Sequence, residues 1–136
     1  MHPVKSFLRL SCILSLLVLV LPAVAQDQTH LNIPKAVVEH LRIKALASFM
    51  FFGHPEEYAA IVTPSAVEYR SDFGAFGGRL SVPSDIMLLL HTHPKDTSPE
   101  PSAKDIATAI KLGVPNCVVT LAQIICAMPD GKVVRQ

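Results

Sequence analysis

The stretch that decides the fold is Ile86-Met87-Leu88-Leu89-Leu90-His91-Thr92-His93-Pro94, followed across a short loop by Ser102-Ala103-Lys104-Asp105. Its opening apolar run, Ile86 to Leu90, predicts a central strand buried on both faces. His91–Pro101 carries three prolines and is expected to be irregular. A helix is expected from Ser102 to Leu112, closed by Gly113. In an extended chain side chains alternate, so His91 and His93 point to one side, where the buried strand runs out. Asp105 falls one turn into the helix, and the loop can fold that helix start back toward the histidines. Two imidazoles and a carboxylate suit Zn²⁺ and leave a fourth position for water.

Each part has a plainer explanation. His-x-His by itself is weak grounds for a metal. Ser102-x-x-Asp105 also reads as a capping box, with the acid favoured by the helix dipole. The run from Lys95 to Glu100 reads equally well as a solvated loop. The joint order carries the weight: buried strand, His-x-His-Pro, proline-rich loop, then Ser-x-x-Asp opening a helix.

Working outward, Pro34 sits in the first turn of a predicted helix whose apolar series is Val37, Leu41, Ala45 and Phe49, with Val38 and Leu46 beside it, ending near Phe52-Gly53. Glu56–Thr63 and Ala66–Ser71 read as strands joined at Pro64-Ser65. The segment Asp72–Asp85, rich in glycine and small residues, reads as a loop or short irregular strand. Asn116–Thr120, Gln123–Ala127 and Lys132–Val134 complete an order α-β-β-β-α-β-β-β. The economical packing is an α+β fold, a mixed sheet flanked by two helices.

The chain has 136 residues, half of them apolar, with twelve basic against eleven acidic side chains. That allows one compact domain, excludes a disordered chain and gives no electrostatic case for binding nucleic acid. Residues 1–25 read as a secretory signal: Lys5 and Arg9, an apolar run from Cys12 to Leu21, then Ala23-Val24-Ala25. The run is too short to span a bilayer, which takes about twenty residues. The expectation is therefore a single domain over 26–136, secreted or periplasmic, with no stable membrane anchor after cleavage. Cleavage removes Lys5 and Arg9 but no acid, turning the formal charge of +1 into −1. Export admits a disulfide between Cys117 and Cys126, which face each other if the chain turns at Leu121-Ala122. Two buried thiols are the other reading.

The block His91-Thr92-His93-Pro94 with Ser102-Ala103-Lys104-Asp105 resembles the zinc signature of the JAB/MPN (JAMM) metalloprotease superfamily. Deubiquitinating isopeptidases and bacterial RadC-like proteins carry that signature. The spacing from Pro94 to Pro101 is one residue longer than the family's usual one. Glu57-Tyr58-Ala59-Ala60-Ile61 is similar to a Glu-Tyr-Gly-Gly-Ile stretch of a small bacterial branch, with Ala59-Ala60 in place of the glycines. The resemblance implies a JAB/MPN-like, cytidine-deaminase-like architecture with one Zn²⁺ held by His91, His93 and Asp105. It also implies Glu57 as general base, with Glu56 its nearest rival, and Ser102 as an oxyanion stabiliser. Such a metal lowers the pKa of its bound water from 15.7 toward about 7. The implied activity is zinc-dependent hydrolysis of a peptide or isopeptide bond, on a peptide or protein substrate that export would place in the cell envelope. The alternative is a non-catalytic module of the same fold, a binding or assembly surface of the envelope. His54 reads as a surface turn residue, His40 as a solvated helix residue and His30 as part of the polar lead-in. Phe73 and Phe76 read either as a substrate-facing flap or as a loop tucked onto the core.

Overall fold

The computed structural model describes residues 30–51, 57–73, 81–93 and 97–136, with backbone only at 49, 51, 72 and 73. The signal segment, Gly53, His54, Glu56, Phe76 and Pro94 lie outside these residues, as do the side chains of Phe49 and Phe73. The elements are α1 (Lys35–Phe51), β1 (Glu57–Val62), β2 (Val67–Phe73), β3 (Leu88–Thr92), α2 (Ala103–Leu112), β4 (Asn116–Val119), β5 (Ile124–Ala127) and β6 (Val133–Arg135). The strands form one mixed six-stranded sheet in the order β2-β1-β3-β4-β5-β6. Among the described strands only β3 and β4 pair in parallel, and α2 is the crossover between them.

Alternation along the strands divides the core between two sheet faces. On one face Ala60, Leu88, Leu90, Cys117, Val119 and Cys126 pack with Val37, Val38 and Leu41 of α1. On the other, Ile61, Ile86 and Leu89 form a smaller cluster with Val82 and Val114. Asn116 pairs with Leu89, and its side chain reaches Asp105 of α2, so α2 lies over this second face.

The turn residues act as their chemistry predicts. Thr63 N–H donates to Ala66 C=O across Pro64-Ser65, and Thr120 N–H to Gln123 C=O across Leu121-Ala122. Gly131, with φ of 84°, closes the turn into β6 in a left-handed conformation that costs glycine nothing. Cys117 and Cys126 stand directly opposite in the β4–β5 ladder and form a disulfide.

Four local expectations need correction. The central strand is shifted: it runs from Leu88 through Thr92, so His91 lies inside regular structure. The residues before it are used otherwise, because Ile86 N–H turns back to Pro83 C=O and Met87 is 55% exposed. Leu46 is exposed with Ile43 and Met50 on the outer side of α1, away from the sheet. β2 continues to Phe73, beyond the Ser71 end expected for it and into the segment read as a loop or short irregular strand. His40 is half-buried, its ring against that of Tyr69 with centroids 3.9 Å apart.

Candidate metal centre

His91 is held by backbone on both sides, paired with Ala59 of β1 and Val118 of β4. A strand bonded to two neighbours cannot rotate its side chain out of place by moving backbone. His93 follows just past the strand end. Its Nδ1 lies 2.7 Å from the Ser98 carbonyl oxygen, which can only accept, so Nδ1 carries a proton in either state: the charged ring also donates from Nε2 to Asp105, and the neutral tautomer presents a lone pair there. That tautomer is the one an Nε2 metal ligand requires, and the carbonyl contact is the kind of support such ligands have.

Asp105 comes from the mouth of α2, where the capping box is complete. Ser102 Oγ accepts from Asp105 N–H at 3.1 Å, while Ser102 N–H and Oγ–H donate to Asp105 Oδ2 at 2.7 and 2.8 Å. Ser102 thus caps the helix and fixes the carboxylate with the same atoms. Both of its donors are on Oδ2. Asn116, 2% exposed at the start of β4, donates from Nδ2 to Asp105 C=O at 3.1 Å and ties the helix mouth to the sheet. Its Oδ1 is buried without a hydrogen-bond partner among the described residues, a cost that hydrogen-bonded cores rarely carry.

These supports bring three side chains to one point. The two Nε2 atoms are 3.2 Å apart; His91 Nε2 is 3.3 Å from Asp105 Oδ1, and His93 Nε2 is 3.3 Å from Oδ2. One ligand atom from each residue lies within 4.8 Å of the others. Tetrahedral zinc, with bonds of about 2.0–2.1 Å, holds its ligand atoms about 3.3–3.4 Å apart. The donor set and the spacing therefore both fit one divalent ion. The three side chains are 12–17% exposed, so solvent still reaches the point where they meet.

Electrostatics agree with the geometry. Burial opposes ionisation of Asp105, but hydrogen bonds from His91 and His93, the His91 charge, and the Ser102 N–H outweigh it and hold the carboxyl well below the usual range. The hydrogen bond to Asp105 raises the pKa of His93 against the opposing effect of burial. Glu57, first residue of β1, lies close enough for its charge to interact with His91, His93, Asp105 and Lys104; burial raises its pKa, partly offset by the histidines. All five residues singled out in the sequence (Glu57, His91, His93, Ser102 and Asp105) thus share one neighbourhood. Thr92, Ser98 and Asn116, which support them, carried no signal in the sequence.

No family model, curated protein or solved structure matches the chain. Fold and site together define an α+β domain with a mixed six-stranded sheet and a His–His–Asp group able to hold a metal ion. Among the described residues no helix is long and apolar enough to cross a membrane.

Proposed function

We propose that this protein is a zinc-dependent peptidase or isopeptidase of the JAB/MPN type, exported by its N-terminal segment to act on a peptide or protein of the cell envelope. The observation that carries the reading is a proton-accepting carboxylate, Glu57, beside a His91–His93–Asp105 group spaced for tetrahedral zinc. Bound zinc would supply Lewis-acid polarisation of the substrate carbonyl and acidify a water toward a pKa of about 7. Glu57 takes the proton of the attacking water as its oxygen bonds to the carbonyl carbon. It then returns that proton to the amine as the C–N bond breaks. A pKa raised by burial suits a group that must both accept and release a proton. Ser102 donates to the developing oxyanion by turning its hydroxyl off Asp105 Oδ2; its backbone N–H, 2.7 Å from that oxygen, keeps the carboxylate in place meanwhile.

The test is zinc content with a scan of peptide and isopeptide substrates, on the wild type, His91→Ala and Glu57→Gln. About one zinc per chain is expected in the wild type and in Glu57→Gln, and almost none in His91→Ala. Hydrolysis should fall by about 10²–10⁴-fold in Glu57→Gln. A chain that stays metal-free after zinc reconstitution ends the proposal. Zinc without hydrolysis of any substrate would leave a metal-stabilised binding module.

A further inference from the structure

The rungs between β1 and β3 show how Glu57 is placed relative to the metal ligands. Their register runs from Val62↔Leu88 to Ala59↔His91 and stops there. Leu89 N–H donates to Pro115 C=O, toward β4. Backbone groups alternate along a strand, so Leu90 and Thr92 turn theirs toward β1. The next regular rung would join Tyr58 N–H to the Thr92 carbonyl, and the one after would set Glu57 directly opposite His93. Instead, Tyr58 N–H donates to the side chain of Thr92, with N to Oγ1 2.9 Å. Thr92 is 1% exposed, on the α1 face between two histidines that face the other way. Its hydroxyl takes the bond that a backbone oxygen would, and the regular β1–β3 pairing ends after the Ala59–His91 pair. There β1 stays paired with β2 through Glu57↔Phe73, across an irregularity between Glu57 and Ala59, and brings the Glu57 charge close to those of His91, His93 and Asp105.

We infer that Thr92 is a positioning residue for Glu57: its hydroxyl takes the Tyr58 N–H that would otherwise extend the β1–β3 ladder and so sets how the Glu57 carboxylate stands toward the metal ligands. The role attributed to Glu57 rests on the function proposed above, whereas the ladder ending stands without it. Two variants separate the hydroxyl from the shape of the side chain. Thr92→Val keeps the shape and removes the acceptor; Thr92→Ser keeps the acceptor if valine fails to fold.

Three readouts apply to the full chain: hydrogen exchange at the Tyr58 amide, the absorption spectrum of Co²⁺ bound in place of zinc, and hydrolysis. Thr92→Val is expected to speed Tyr58 exchange at least tenfold and to change the Co²⁺ spectrum as Glu57→Gln does. It should lower kcat at least tenfold with metal stoichiometry and KM unchanged. Thr92→Ser is expected to stay near wild type on every readout. Wild-type exchange and a wild-type spectrum in Thr92→Val would overturn the inference, and so would a serine variant as impaired as Glu57→Gln. Should no substrate be cut by any form while exchange and spectrum respond as described, the hydrolase reading falls and the positioning role of Thr92 stands.

Discussion

Leu88, Leu90 and Thr92 point to one face of β3; Leu89, His91 and His93 point to the other. The first set joins α1 and the Cys117–Cys126 disulfide in a closed apolar layer. The second begins as core at Leu89 and ends as a donor pair beside Asp105. The backbone is common to both, so the disulfide-tied layer that stabilises the fold also fixes the histidines. Stability and chemistry differ by one residue of register, and a substitution on either face should affect mostly one of them.

The largest effect expected on the donor face is from Asp105→Asn, which weakens the ligand set and should abolish stoichiometric zinc by metal analysis. On the other face Leu41→Ala, at a position 1% exposed, should cost about 2–5 kcal/mol in urea unfolding while the folded protein still holds one zinc. Loss of zinc in both variants would show that the faces are not separable. Opening the disulfide comes next: its short loop implies a loss of about 2–3 kcal/mol, read as a lower thermal midpoint under reductant with zinc retained at saturating metal. Ser102→Ala should touch both properties, losing about 1 kcal/mol of helix capping and about tenfold in zinc affinity by calorimetry, the lower end for supporting residues. An unchanged affinity would confine Ser102 to the helix.

The smallest effect is one of sign. Without metal, the Asp105 bond raises the pKa of His93. The stability from that pair is full below the unfolded imidazole value, about 6.5, and is lost as pH climbs through the raised folded one. Metal-free stability from this pair should therefore fall as pH climbs above about 6.5. With zinc the preference reverses, because ligation needs neutral imidazole, and stability should rise over the same window. Thermal midpoints across that range, with and without zinc, check this; parallel slopes would remove His93 from the ligand set.

Much of this was legible in local chemistry. The Ser102–Asp105 box, the Gly113 cap and the β4–β5 hairpin depend on partners three to eleven residues apart, and all three formed where expected. The placing of β3 was less legible, because an apolar run does not mark where the ladder begins; the Pro83–Ile86 turn and exposed Met87 moved it two residues onward. The outer side of α1 was missed as well. Its apolar residues encircle the helix, and periodicity alone could not show that Leu46 faces away from the sheet.

By itself the sequence determined which side chains could be donors and that His91 and His93 share a side, since a two-residue period is a property of any extended chain. It also placed Asp105 at a helix mouth, because the cap is written within four residues. Only the tertiary structure decided that these donors meet. Strand order sets β1 and β4 on either side of β3, Asn116 ties α2 to the sheet, and the Ser98 carbonyl selects the His93 tautomer. The Thr92 bond to Tyr58 spans 34 residues, and no local pattern encodes a partner so far along the chain.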